Sequence, residues 1–184
     1  MGSDPSAPRP PDRIDAGPIL LRRWTAEDAT ALLEAVASSH PHLRPWMPWA
    51  LEEPTLDAEA AFIAWSERAF EDGTEFVYGM FTPDGTIVGG CGLRPHAGAA
   101  MLEIGYWVHA GHTRRGYATA AARALTETAL ALPGIASVEI HCDVANSVSA
   151  SVPRRLGYRL DRVVEDRITA PGEAGPLMVW IIEG

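Results

Sequence analysis

The chain has 184 residues, 47% of them hydrophobic and 21% charged, which fits one domain with a real core. Fifteen basic residues against 24 acidic ones give a formal net charge of -9. That argues against a general nucleic-acid binder and favours cationic or amine ligands only in a general way. Two cysteines, the lack of a basic-then-apolar leader and the lack of an apolar run near 20 residues point to a cytoplasmic protein with reduced thiols.

Residues 1–18 are rich in Pro, Ser, Asp and Gly and read as a flexible arm, with a single domain over 19–184. Ile19 to Arg23 is a short strand. Thr25 caps a helix whose apolar stripe is Ala29, Leu32, Leu33 and Val36, and Pro41 marks its end. Residues 40–54 mix prolines with Trp46 and Trp49 and read as a packed loop or broken short helix, able to wall a substrate pocket. Leu56 to Phe70 is an amphipathic helix with Ala58, Phe62, Trp65 and Ala69 on one face, closed by Gly73. Glu75–Phe81 and Ile87–Leu93 are strands joined by a Pro83-Asp84-Gly85 turn, and Gly89 and Gly90 mark a bulge or a close backbone approach.

A His-Ala-Gly-Ala-Ala turn from His96 leads into the strand Met101–Val108. A basic, glycine-containing loop follows, and then a long helix with Ala118, Ala121, Ala122, Leu125, Ala129 and Leu132 at helical spacing. After Pro133-Gly134 comes a strand at Ser137–Val144, with Val138, Ile140 and Cys142 on one face. A short helix over 146–156 ends at Gly157, and two strands close the chain at Tyr158–Ile168 and Leu177–Ile182. This order, without repeats or linkers, is that of one α+β domain.

The corner between Val108 and the long helix is where chemistry is expected. A helix N-terminus offers unpaired N–H groups and the positive end of a dipole, so it holds anions, phosphate above all. Gly116 and Ala118 let an anion approach the backbone, and Arg114, Arg115 and Thr119 add donors. A nucleotide-phosphate binder could use such a loop, but no Gly-Lys-Ser/Thr follows the glycine. His109, His112 and the His141-Cys142 pair lack the spacing of a zinc site, so no metal is expected.

Thr113-Arg-Arg-Gly-Tyr-Ala118 resembles the Q/R-x-x-G-x-G/A acyl-CoA loop of the GNAT acetyltransferases. Glu103-Ile-Gly-Tyr-Trp-Val108 resembles the central strand of that family. Asn146, Ser149 and the Leu156-Gly-Tyr158 that follows are similar to a segment of its ribosomal-protein-N-acetyltransferase-like (RimJ/RimL-like) branch, as is Leu43-Arg-Pro-Trp-Met-Pro-Trp49. The resemblance spans residues 19–182 and implies a twisted mixed sheet that splays open in the middle, with helices on both faces.

It also implies acetyl-CoA as co-substrate. Pantetheine would pair with the backbone of Tyr106, Trp107 and Val108. Pyrophosphate would rest on the N–H groups of Arg114, Arg115, Gly116, Tyr117, Ala118 and Thr119. The acceptor, an N-terminal amine of a protein or a small-molecule amine, would lie against Trp46, Trp49 and Glu103. Glu103 would be the base; His109 and His141 are substitutes that the resemblance does not single out. Val108 N–H would polarise the thioester, Asn146 would hold the pantetheine arm, and Ser149 would protonate the leaving thiolate.

Three departures from the pattern are Thr113, Ala120 and Pro153. Pro153 implies a helix that starts late or bends, which bears on the aim of Ser149. An acyl-CoA sensor without catalysis is the alternative function. A homodimer is allowed by apolar residues near the C-terminus.

Overall fold

The computed structural model of the chain describes residues 9–96 and 99–184. Residues 1–8 of the expected arm, and Ala97 and Gly98 of the expected turn, lie outside the described residues.

Eight strands form a single sheet. They are β1 (Arg13–Asp15), β2 (Leu20–Arg23), β3 (Phe76–Phe81), β4 (Ile87–Pro95), β5 (Met101–Val108), β6 (Ser137–Asp143), β7 (Arg159–Glu165) and β8 (Pro176–Glu183). Their order across the sheet is β1-β2-β3-β4-β5-β6-β8-β7. Every neighbouring pair is antiparallel except β5 and β6. The helices are α1 (Ala29–Leu43), α2 (Leu56–Asp72), α3 (Tyr117–Leu130) and α4 (Ser147–Arg155). The fold is α+β with a mixed sheet, as the sequence implied.

Alternation along the strands sorts the core into two layers. Tyr78 and Met80 of β3, Leu102 and Ile104 of β5, and Val138, Ile140 and Cys142 of β6 pack with the alanine face of α3 and with Ala150 and Val152 of α4. Val77, Phe81 and Trp107 turn to the other face and meet α1 and α2 through Leu32, Val36 and Ile63. The small side chains of α3, among them Ala121, Ala122 and Ala129 at 0% exposure, let that helix lie close to the sheet.

Four local expectations are corrected. The arm does not extend to residue 18: Arg13–Asp15 pairs with β2, Ile14 is buried, and the Tyr78 hydroxyl donates to the Pro11 carbonyl at 2.8 Å. One apolar residue and one long-range hydrogen bond suffice to add an edge strand. Pro41 does not end α1, which continues to Leu43. Ser39, His40 and Leu43 are buried there, and this packing outweighs the hydrogen bond that proline cannot donate.

The buried face of α2 is Ile63, Ser66, Ala69 and Phe70, whereas Ala58 is exposed and Trp65 is 42% exposed. Ala69 of the expected stripe is buried, but the face that meets the sheet is rotated away from Ala58 and Trp65. The strand expected to reach Ile168 stops at Glu165, and residues 166–175 form a loop fastened by two carboxylates. Asp143 accepts the N–H groups of Ala174 and Gly175, and Glu173 accepts those of Thr169 and Ala170.

Candidate active site

The site begins with a difference between the two borders of β5. On one side β5 pairs with β4 over seven positions, from Gly89↔Val108 to Pro95↔Leu102. On the other it pairs with β6 over only four, from Met101↔Ser137 to Ile104↔Ile140. Beyond Ile104 the two strands part: β6 continues to Asp143 on β8 alone, and β5 continues to Val108 on β4 alone. The parting leaves a gap that opens toward Val108.

The main-chain groups facing this gap follow from strand geometry. His109 N–H donates to the Val88 carbonyl at 2.9 Å, and a Cβ on Gly89 would overlap the Trp107 carbonyl oxygen. Residues 107 and 109 therefore turn their backbone groups toward β4. Alternation then turns the N–H and C=O of Tyr106 and Val108 into the gap, where β6 has left them without a strand partner. This corrects one expectation: the Trp107 backbone belongs to the sheet and cannot also pair with a ligand in the gap. The glycines at 89 and 90 are explained by the same close approach, since a Cβ on Gly90 would come within 2.6 Å of the Trp107 indole nitrogen.

At the mouth of the gap, α3 begins at Gly116, which has a φ of 81°. Only glycine adopts that angle without strain, and here it leaves open space where a Cβ would be. No side chain caps α3. Among the described residues, the N–H groups of Arg114 through Thr119 have no acceptor, and the first bond at this corner is Ala120 N–H to the Gly116 carbonyl at 2.9 Å. Arg114 and Arg115 are exposed and form no ion pair with a described carboxylate. The combination of free donors, a helix dipole and unneutralised guanidinium groups is an anion site.

Across the gap stands α4. Its N-cap Asn146 accepts the Ser149 N–H at 3.0 Å through Oδ1. The helix starts at Ser147 and takes Pro153 inside it, so the expected late start does not occur. Ser149 Oγ lies 3.1 Å from the Tyr106 hydroxyl. Burial pushes the Tyr106 phenol well above its ordinary value, with the Ser149 hydrogen bond working the other way. Tyr158 is a core residue, buried at 5% exposure and hydrogen-bonded to Thr126 at 2.6 Å.

The opposite face of β5 carries Glu103, Gly105 and Trp107. Glu103 sits at the level where β5 and β6 still pair, directly beside Glu139 in the parallel register. Two carboxylates side by side repel unless something is placed between them. His141 fills that role, with Nε2 at 2.6 Å from Glu139 and Nδ1 at 3.6 Å from Glu103. His96 Nε2 approaches the same Glu103 oxygen at 2.8 Å. Arg162 of β7 closes the row at 3.3 Å from Glu139.

Gly105, next along this face, is exposed, and a Cβ there would meet nothing within 4 Å. Trp107 follows and meets Trp49 edge to face at 6.0 Å. Trp49 is 51% exposed and so remains available to a ligand, while Trp46 is half-buried in the same loop. That loop is latched from the far side by Gly172 N–H, which donates to the Pro45 carbonyl at 2.8 Å.

β5 thus carries Glu103 within its paired stretch, the Trp107 that meets Trp49, and, on the other face, the Tyr106 that reaches Ser149, whose N–H is held by Asn146. His109 lies past the end of β5, bonded to Ser38 at 2.9 Å and accepting Gly111 N–H at 3.0 Å, and burial with His112 and His42 nearby lowers its pKa. His96, Glu139 and Arg162 belong to the Glu103 cluster and escaped the sequence reading. Glu139 and His141 alternate with Val138, Ile140 and Cys142, so their shared face was visible; their neighbour on β5 was not. A separate hollow of about 370 Å³ lies at the β1–β2 edge among Arg13, Arg22 and Phe81, away from these groups. Among the described residues no group of three His, Cys, Asp or Glu side chains is placed to hold a metal ion, and no helix is long and apolar enough to cross a membrane.

Comparison with known proteins follows the same lines. Residues 19–159 match the family model described as acetyltransferase (GNAT) domain. A comparison with curated protein sequences gives no match. Among solved structures, the microcin C7 self-immunity acetyltransferase MccE in complex with acetyl-CoA and AMP superposes with a TM-score of 0.87 at 19% identity, covering 95% of this chain and 97% of that one. Mycobacterium smegmatis RimJ in complex with CoA-disulfide gives 0.85 at 21% identity, covering 96% and 90%. A Salmonella typhimurium acetyltransferase that modifies the N-terminal serine of ribosomal protein L7/L12 gives 0.82 at 17% identity, covering 94% and 99%. At these identities the likeness carries the fold.

Proposed function

We propose roles for the groups around the gap from one premise: the chain belongs to the acetyltransferase (GNAT) family and is an acetyl-CoA-dependent N-acetyltransferase. The observation that carries the assignment is the parting of β5 from β6, which leaves Tyr106 and Val108 backbone groups free beside an uncapped helix N-terminus. An extended pantetheine arm takes the place of the missing strand and pairs with Tyr106 and Val108. The pyrophosphate lies on the N–H groups of residues 114–119, with Arg114 and Arg115 supplying charge. Asn146 keeps its amide nitrogen for the same arm while its oxygen caps α4.

The gap connects the two faces of the sheet, so the two reactants meet through it. Acetyl-CoA comes from the α3–α4 face, and the amine comes from the α1–α2 face, over Gly105 and against Trp46, Trp49 and Trp107. Glu103 takes the proton of the attacking amine. The amine nitrogen bonds to the thioester carbonyl carbon while Val108 N–H polarises its oxygen; the carbon–sulfur bond breaks, and Ser149 gives a proton to the thiolate. Holding both reactants at one opening supplies much of the rate.

The acceptor is a primary amine. The carboxylates at 103 and 139 favour a cationic ammonium before it loses its proton, and the aromatic wall favours an acceptor with an apolar body. Similarity to the Salmonella enzyme supports an N-terminal amine of a protein, and a small-molecule amine is the second class. We assign the protein to the cytoplasm on the strength of its free, buried Cys91 and Cys142. The exposed Leu160, Val163 and Val164 of the outermost strand β7 support a homodimer. The test of the activity is free-thiol release from acetyl-CoA with a panel of peptides bearing N-terminal Ser or Ala and of small amines. Thiol release that requires one of these amines is expected; tight CoA binding without turnover on any amine would replace the enzyme by a sensor.

A further inference from the structure

Pro153 should damage the helix that carries Ser149. A proline inside a helix cannot donate to the carbonyl four residues earlier, and its ring pushes that carbonyl aside. The carbonyl in question is that of Ser149, in the first turn of α4. It is not left empty: the Tyr106 hydroxyl lies 3.1 Å from the Ser149 main-chain oxygen. A carbonyl only accepts, so Tyr106 is the donor. The same hydroxyl oxygen is 3.1 Å from Ser149 Oγ, so one phenol touches both the main chain and the side chain of Ser149.

We infer that Tyr106 is a positioning residue: it substitutes for the N–H that Pro153 lacks and thereby fixes the backbone and the hydroxyl of Ser149 at the gap. This deepens the role given to Ser149 above and rests on that reading for its catalytic consequence. Three features make the arrangement specific. Tyr106 is on β5, whose own backbone faces the gap, so the strand that receives the pantetheine arm also sets the group that protonates its sulfur. The phenol is held within the apolar layer beneath α3 and α4, so it keeps its proton and remains a donor. Asn146 already accepts Ser149 N–H at 3.0 Å, so both main-chain polar groups of Ser149 are fastened by side chains and none depends on the helix that Pro153 interrupts.

The experiment uses four proteins: wild type, Tyr106→Phe, Pro153→Ala and Tyr106→Phe/Pro153→Ala. Alanine at 153 restores an N–H in reach of the Ser149 carbonyl. Tyr106→Phe should lower kcat about 10-fold with the KM for acetyl-CoA within about twofold, since one hydrogen bond is lost. The double variant should recover most of that kcat, and Pro153→Ala alone should stay within about twofold of wild type. Amide hydrogen exchange in ligand-free protein is the second readout: exchange over residues 149–155 should speed up in Tyr106→Phe and slow again in the double variant. A loss of kcat without rescue would overturn the inference, and so would unchanged exchange in Tyr106→Phe. If wild type transfers acetyl to no amine, the exchange measurement still decides whether Tyr106 anchors Ser149, so failure of the enzymatic reading is distinguishable from failure of the anchor.

Discussion

The two borders of β5 were built to opposite ends from the same strand. Toward β4 the contact is closed: seven register pairs, glycines at 89 and 90, and no room for a methyl group where Trp107 crosses. Toward β6 it is open: four pairs, an exposed Gly105 with empty space above it, and backbone groups of Tyr106 and Val108 turned outward. A sheet normally satisfies every buried N–H and C=O along a central strand. Leaving them free at one end of a central strand marks the place where another extended chain belongs. The helix N-termini repeat the contrast. In α2 the Thr55 hydroxyl accepts Ala58 N–H at 3.2 Å, whereas α3 starts at a bare glycine with exposed arginines beside it. A cap of the Thr55 kind stabilises a helix by about 1 kcal/mol, and its omission at α3 leaves the donors free, as the proposed phosphate site requires.

The contrast can be broken from the open side first. Gly116→Glu places a carboxylate and a strained φ where the pyrophosphate is proposed to lie; loss of acetyl-CoA affinity by at least about 100-fold is expected by calorimetry, with the circular dichroism of the fold retained. Unchanged affinity would remove the α3 corner from the site. Glu103→Gln keeps the shape and removes the proposed base; kcat should fall about 100-fold with little change in the KM for acetyl-CoA. A rate equal to wild type would make Glu103 a structural partner of His96 and His141 only.

The closed side answers with stability. Gly89→Ala drives a methyl group into the Trp107 backbone and should cost about 3 kcal/mol in denaturant unfolding. Gly105→Ala, on the strand's free stretch, should stay within about 0.5 kcal/mol. Equal costs at the two glycines would dissolve the contrast between the borders.

The smallest effect concerns pH and the loop behind the acceptor wall. Burial raises the Asp143 pKa, but hydrogen bonds from Ala174, Ala145 and Gly175 N–H outweigh it and hold the carboxyl below the usual carboxylate range. A depressed folded pKa means stability that is fully present above the unfolded value of about 3.9 and is lost as pH falls through the folded value. Melting temperature should therefore drop on acidification below about pH 4, and Asp143→Asn should flatten part of that drop. Asp28, whose carboxyl is likewise held low by Arg22 and Thr25 against burial, accounts for a further share, so the flattening is partial.

Most elements were legible because their signals are local. The alternation in Ser137–Val144, the alanine spacing after Gly116 and the turn at Pro83-Asp84-Gly85 each involve residues that are neighbours in the chain. The misreadings share the opposite cause. Local chemistry disfavours proline inside a helix, yet Pro41 lies where Ser39, His40 and Leu43 are buried, and the carbonyl that Pro153 cannot serve lies 3.1 Å from Tyr106, 47 positions away in the numbering. The face of α2 depended on which side the sheet lay. His96, Glu139 and Arg162 were ordinary polar letters until three strands and a loop set them beside Glu103 and His141.

By itself the sequence determined the order of strands and helices from β2 onward, the glycine–arginine corner at the head of α3, and the family those patterns belong to, since each is encoded by short-range propensity and spacing. Only the tertiary structure decided that β5 and β6 part after Ile104, which backbone groups face the opening, and how the Ser149 carbonyl is satisfied despite Pro153. Those features depend on register and on distances between residues far apart in the chain, which a pattern of letters constrains only through the packing that the whole domain adopts.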